Sequence, residues 1–426
     1  MASTIFFVLG TLLLSLNFVR PFGLAISDWL YIISMGLALL ETIIVDRKNL
    51  KLWTTNHFQW FAFLILLGGI ISLVNSKNIK IALFEIIQQL YVITLFISLT
   101  RIMVRRGKTK AILMALILSG VFAAIIAAVD YITGSRLGPM LSGTPNAHAQ
   151  FWERFAGPLG HPNKFGYFLV ITSVMTFLFF QKEKKWISRA LWIFLFLIQI
   201  FGIYLSGSMT AYVGIVTSFF FLFIASFKRR KVISMSFAIG TITILIIIIT
   251  FSLLGDFRKM NFIYTATNNI TLSINRVRTF TANSRWTGYK DAMEIILNSP
   301  IIGVGYDQVS TSNVGPEQRL LDVHNVLLQT WYTGGVLAFI GFIGIYSLLG
   351  FYSLKILLGV NNRRQQMLIS ALASLTLAIL IMDQFQDAIY QREKWLIIAI
   401  FVSWIWNPDS MSQINEKERI KEKPHF

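Results

Sequence analysis

Two segments of this sequence combine residue types that bind anionic groups and move protons. Residues 255–322 carry seven basic side chains, Arg258, Lys259, Arg276, Arg278, Arg285, Lys290 and Arg319, and residues 133–165 add Arg136, Arg154 and Lys164. A guanidinium fork matches phosphate oxygens through parallel hydrogen bonds. The set therefore reads as a cationic basin for an anionic group, against the simpler reading of charges that a long loop merely tolerates. Of the five histidines, His148, His161 and His324 fall in or beside these segments. His324 opens an apolar run that reads as a helix, and the positive end of the helix dipole disfavours imidazolium. A neutral imidazole there is a usable general base, with Asp322 and Asn325 placed to orient it. The alternative is a helix-entry histidine that hydrogen-bonds a neighbouring carbonyl.

Other chemistries find less support. No closely spaced His and carboxylate set of the zinc-binding kind occurs, so no metal is expected. Cysteine is absent, which excludes disulfides and thiolate sites. There is no Gly-rich phosphate loop followed by Lys and Ser or Thr, so no nucleotide is expected.

The elements that must position these residues are membrane helices. The 426 residues are 55% hydrophobic and 14% charged, with a mean hydropathy of +0.64, whereas soluble domains are about 25% charged. Uncharged apolar stretches recur at the length that crosses a bilayer as a helix, giving about twelve transmembrane helices. They are expected near residues 4–18, 27–45, 57–74, 80–100, 110–132, 166–180, 188–206, 209–227, 232–254, 323–354, 365–383 and 393–406. The first lacks a small-residue cleavage site before Arg20 and Pro21 and reads as a retained helix. The stretch from 323 is too long for one straight crossing, and Gly334, Gly335, Gly341 and Gly344 are candidates to bend or break it.

Every second connection is basic: Arg47 to Lys51, Arg101 to Lys110, Lys182 to Arg189, Lys228 to Lys231, Lys355 to Arg364 and Lys417 to Lys423. Cytoplasmic loops retain such residues, which places both termini, including the tail 407–426, in the cytoplasm. The chain then reads as a single polytopic domain over 1–426, multi-pass in a bacterial plasma membrane, with outer loops at 133–165 and 255–322. The net charge of +18 is mostly that of short loops facing anionic lipid, and no nucleic-acid partner is expected.

Connections this long are usually functional. Within the longer one, Trp286, Tyr289, Met293 and Ile296 share a helical face, which predicts a helix lying in the membrane interface; the plainer reading is a helix that caps the bundle. Asn298, Ser299 and Pro300 end it, and Gly303-Val304-Gly305 reads as a flexible turn before His324. Glu85, Asp130 and Asp383 are the notable acids within the spans. They are suited either to neutralising nearby arginines or to an ion site.

Strings of these residues resemble a known family. Arg154-Phe155-Ala156-Gly157 followed by Gly160-His161-Pro162-Asn163-Lys164-Phe165-Gly166 is similar to the first signature of the O-antigen ligase and polymerase superfamily. Ser206-Gly207-Ser208-Met209-Thr210-Ala211 is similar to its Ser-rich second signature. The third comprises Ser284-Arg285-Trp286, Asn298-Ser299-Pro300-Ile301-Ile302-Gly303-Val304-Gly305, His324-Asn325 and Thr333-Gly334-Gly335. The resemblance covers roughly residues 150–345 and departs at Ser206-Gly207-Ser208, where many members place an Arg after the first Ser.

It implies an all-α, GT-C-like integral membrane glycosyltransferase with a large, partly helical extracytoplasmic loop. Its donor would be an undecaprenyl-diphosphate-linked glycan, passed to an acceptor hydroxyl without metal or nucleotide. Arg154 and Arg285 are then expected to bind the diphosphate and His324 to take the hydroxyl proton, with inversion. Arg276, Arg278, Asn163, Lys164, His161, Asn325 and Lys290 are expected to bind substrate. A chain-length regulator and a flippase are conceivable partners. A polymerase is favoured over a ligase because no acceptor-recognition domain is appended. A lipid-linked sugar or polysaccharide transporter is the rival of another class, though no convincing internal repeat is found.

Overall fold

The computed structural model describes residues 2–16, 25–45, 57–135, 137–142, 154–227, 288–308, 323–359, 363–386 and 388–405. Among them the regular elements are all helical. In chain order they are α1 (Ala2–Leu12), α2 (Ile26–Val45), α3 (His57–Ser72), α4 (Ile79–Leu90), α5 (Phe96–Arg105), α6 (Thr109–Thr133) and α7 (Leu137–Ser142). Then follow α8 (Pro162–Lys182), α9 (Trp186–Ser206), α10 (Met209–Phe227), α11 (288–298), α12 (Val326–Gly359), α13 (Arg363–Met382) and α14 (Arg392–Ile405).

Each predicted span falls on a helix except 232–254, which lies outside the described residues. So do Arg276, Arg278, Arg285, Trp286, His148, Asp322 and the tail 407–426. Five stretches are long and apolar enough to cross a membrane by themselves: Phe58–Asn75, Thr109–Thr133, Pro162–Lys182, Trp186–Ser206 and Val326–Leu357. Large apolar side chains such as Ile44, Trp60, Phe63, Ile132, Trp186 and Phe194 are exposed on the outside of the bundle. An exterior of this kind suits lipid rather than water. The predicted span 80–100 is α4 and α5 joined through a π-helical turn at Tyr91–Leu95, a local widening that often serves a site.

Helix α8 occupies the centre. Phe165, Tyr167, Phe168, Leu169, Val170, Ile171, Val174 and Met175 are all buried, and α6, α9, α10 and α13 pack around them. At one end of the bundle, Glu41 accepts hydrogen bonds from Ser3 and Arg106. A second polar network, around Asp28 and Asp383, joins α2, α8, α12, α13 and α14.

Helix α12 turns at Gly335, where φ is 71° and ψ is −171°. Into that break fits the segment 301–305: the amides of Val304 and Gly305 donate to the carbonyls of Tyr332 (2.8 Å) and Thr333 (3.0 Å), and Val336 N–H donates to Ile301 O (3.1 Å). A Cβ on Gly335 would stand 2.2 Å from Ile301 O, and one on Gly303 2.6 Å from Thr333 O. The Gly303-Val304-Gly305 string is therefore a locked backbone insert and not the flexible turn its composition suggested. Gly341 and Gly344, expected to bend the helix, instead admit α3, whose Phe61 lies against both.

The turn folds α12 back sharply. Val326 donates from its backbone to Asp383 O at 3.0 Å, while the Tyr346 hydroxyl donates to the carboxylate of the same residue. Twenty positions separate Val326 from Tyr346, a distance of about 30 Å along a straight helix at 1.5 Å per residue.

Helix α11 packs Ala292 and Ile296 against Val323 and Tyr332. Met293 is 43% exposed and Leu297 73%, so the predicted Tyr289, Met293 and Ile296 face is rotated: Ala292 takes the inward place given to Met293. A small side chain is needed there because α11 lies close on the first turns of α12.

Candidate functional site

The first two signature strings form one unit. Phe155 N–H donates to Leu205 O at 3.1 Å, and Arg154 Nε donates to Ser206 O at 2.8 Å. The other arm of the Arg154 guanidinium donates to Asn163 Oδ1 at 2.6 Å. One fork thus ties the α9–α10 turn to the first turn of α8, a two-point hold that suits Arg and that Lys cannot reproduce. Gly166 lies against Ser206, Ser208 and Ala211, where a Cβ would come within 2.8 Å of the Ser206 hydroxyl. Ser208 in turn caps α10, its hydroxyl accepting from Ala211 N–H.

His161 precedes α8 as its N-cap, with Nδ1 accepting from Asn163 N–H at 3.1 Å. Burial first, then the neighbouring positive charges of Lys164 and Arg154, pushes its imidazole down to about 3. His161 is thus held neutral as an acceptor, while Lys164 is exposed beside it. The native state refuses a proton that the unfolded chain accepts near 6.5, so this stability is complete above pH 6.5 and is lost as pH falls toward 3. Each pH unit below 6.5 is expected to remove about 1.4 kcal/mol. Melting of the purified protein between pH 7 and pH 5 checks it: wild type should lose more than His161→Asn, whose amide can cap without titrating.

The third signature reaches the same place. Asn325, the residue after His324, donates to Gln384 O, and Thr210, two residues from Ser208, donates to Phe385 O, so the start of α12 lies at the same end of the bundle as the α9–α10 turn. The φ of His324 is 45°, and it is the non-glycine residue with positive φ among the described residues. A β-carbon in this left-handed region costs about 1–2 kcal/mol and persists where the surroundings fix it. Two neighbours do so. Asn325 caps α12 through Leu328 N–H (3.0 Å) and donates to Gln384 O (3.3 Å), and Val326 N–H is held by Asp383 O. The helix therefore starts two residues after His324, and Asn325 serves the backbone where it was expected to orient the ring.

The segment 383–386 joins the parts. Asp383 is fully buried and accepts from Lys394 Nζ (2.7 Å), Tyr167 (2.9 Å) and Tyr346. Tyr289 of α11 donates to Gln384 O at 3.1 Å, and Thr210 of α10 donates to Phe385 O at 3.4 Å. Nearby, Arg392 pairs with Asp28 at 2.8 Å, and Tyr91, set by the π turn, donates to the same carboxylate at 2.9 Å.

Of the site residues expected from sequence, the structure brings Arg154, His161, Asn163, Lys164, His324 and Asn325 to one end of the bundle. Lys290 is exposed on α11, one residue from Tyr289. Arg276, Arg278 and Arg285 lie outside the described residues. Asp130, read as a neutraliser of arginine or an ion site, instead accepts from the backbone of Leu137 and Gly138 and from Ser135, so it fastens the turn into α7. Lys394, Tyr167, Tyr346, Gln384 and Arg392 were not anticipated. Their signal was the placing of two opposite charges, Asp383 and Lys394, at the facing ends of adjacent apolar runs.

What this arrangement offers is a cationic rim, a neutral acceptor imidazole and a strained second imidazole, all held by buried hydrogen bonds. Residues 194–343 match the family model described as O-Antigen ligase. No curated protein matches the chain.

Proposed function

We propose that this multi-pass chain, whose residues 194–343 match the O-Antigen ligase family model, polymerises undecaprenyl-diphosphate-linked oligosaccharide repeat units on the outer face of a bacterial plasma membrane. The observation that carries this reading is that the hydrogen bonds of Arg154 with Asn163, of His161 with Asn163, and of Asn325 and Thr210 with the 384–385 backbone bring Arg154, His161, Lys164 and His324 to one end of the bundle. A diphosphate leaving group gains negative charge as the glycosidic bond breaks, and fixed cationic donors in a partly dry site stabilise it. In the reaction, an acceptor sugar hydroxyl attacks the anomeric carbon, the bond from that carbon to the diphosphate oxygen breaks with its electron pair, and His324 takes the hydroxyl proton. Direct displacement of this kind inverts the anomeric centre. Arg154 and Arg285 clamp the diphosphate, and Arg276, Arg278 and Lys290 contact phosphate or anionic glycan. Asn163 and His161 serve by holding Arg154 and the first turn of α8.

The description of the matched family favours one second reading, a ligase that passes the glycan to a lipid core, cell-wall polymer or protein. Purified protein in detergent, given synthetic lipid-linked repeat units alone, separates them. A ladder of multiples is expected; growth only upon an added foreign acceptor would replace the polymerase by a ligase. No transfer to either would remove the enzyme reading and leave a transporter.

Arg154→Lys is expected to lower the initial transfer rate by about 10- to 100-fold, because an ammonium cannot hold Ser206 O and Asn163 while facing a phosphate. The same exchange at Arg285 should also be poor. Unchanged rates in either would mark that charge as dispensable to the clamp.

A further inference from the structure

His324 holds a left-handed backbone two residues before α12 begins, and such a residue keeps its conformation only where the surroundings over-determine it. The restraints on the two following residues both end on Asp383 and Gln384: Val326 N–H on Asp383 O, and the Asn325 amide on Gln384 O and Oε1. What holds Asp383 is thus what holds the turn. Its carboxylate is gripped from three helices, by Tyr167 of α8, Tyr346 of α12 and Lys394 of α14, with Asp383 and Lys394 both at 0% exposure. Removing two charges from water costs several kcal/mol per ion, and apolar residues often replace such pairs without loss. Stability alone does not call for this pair; a fixed position of the 383–384 backbone does.

We infer that Asp383 and Lys394 are positioning residues for His324, setting the imidazole against the acceptor hydroxyl through the Asp383 carbonyl and the start of α12. Lys394 lies beyond the matched residues 194–343. The inference rests on the reading of His324 as the base. Neither side chain touches substrate. Their buried charge fixes backbone that reaches His324 through Asn325 and Val326.

The test is a double-mutant cycle on the purified full chain with lipid-diphosphate-linked repeat units. Lys394→Met should lower kcat by about tenfold or more while donor KM stays within about threefold, and Lys394→Arg should recover most of the rate. Because a lone buried Asp383 can unfold the chain, the charge-free double variant Asp383→Asn with Lys394→Met is measured too; it should fold and show the same loss of kcat. In a His324→Asn background, Lys394→Met should change the residual rate by less than about twofold, since its effect passes through the missing imidazole. Wild-type kcat in the double variant overturns the proposal. So does a full tenfold loss repeated in the His324→Asn background while His324→Asn is itself impaired, a result that leaves the base intact. Wild-type turnover by His324→Asn removes the base, and this proposal with it.

Discussion

His324→Asn is expected to slow glycan transfer by about 10² to 10⁴, the range that general-base catalysis contributes, while donor binding stays near that of wild type. Asparagine is the sharper replacement because it tolerates the left-handed region that φ 45° demands. His324→Ala should show the same loss with added backbone cost, alanine being disfavoured there. The two variants separate chemistry from conformation: if the imidazole works as a base, both are slow, whereas if the residue only shapes the chain, asparagine restores the rate. Turnover numbers and donor affinities of both purified variants decide it.

Gly335→Ala is expected to abolish the folded state of the site. The position has φ 71° and ψ −171°, a combination open essentially to glycine, and the added Cβ would lie 2.2 Å from Ile301 O and 2.6 Å from the Ile302 carbonyl carbon. Those contacts are backbone on backbone, so no side-chain rotation relieves them. A loss of about 4 kcal/mol or more is expected, read as failure to accumulate in the membrane or a large fall in melting temperature. Gly36→Ala is the control. Apart from the helix's own backbone, nothing lies within 4 Å of a Cβ built there, and in the middle of α2 alanine should be neutral or favourable by up to about 1 kcal/mol. A Gly335→Ala protein as stable as Gly36→Ala would mean that the 301–305 insert does not hold the break.

The helices, and the five stretches long and apolar enough to cross a membrane, were legible because hydropathy is a sum over composition, and exposed residues such as Trp186 and Phe194 contribute to it as fully as the core of α8. Direction is not a sum. The run from 323 showed a break to come, yet only the three-dimensional pairing of residues 301–305 with Tyr332, Thr333 and Val336 shows that α12 folds back on Asp383. The signature strings were legible as strings. Their dependence on each other, Arg154 on Ser206 and Gly303 on Thr333, is long-range and leaves no periodic trace. Asp383 stood out as an acid at a span end, but Lys394, inside the 393–406 run, was not singled out, because hydropathy weighs each charge alone and is blind to an opposite charge on the next helix. The α11 face failed for a related reason: Met293 is the more apolar residue, and Ala292 the one small enough to sit against α12.

The proposed reaction requires the Arg154, His161 and His324 end of the bundle to face away from the cytosol, on the side where an exported lipid diphosphate is found. The chain has no cysteine, so a single one placed at an exposed position reports its side. Met140→Cys in α7, near that end, should react with a membrane-impermeant maleimide in intact spheroplasts, whereas Lys184→Cys, in the turn between α8 and α9, should react only after lysis. Labelling of Lys184→Cys in intact spheroplasts, with Met140→Cys protected until lysis, would set the cationic site in the cytosol and contradict the proposed reaction.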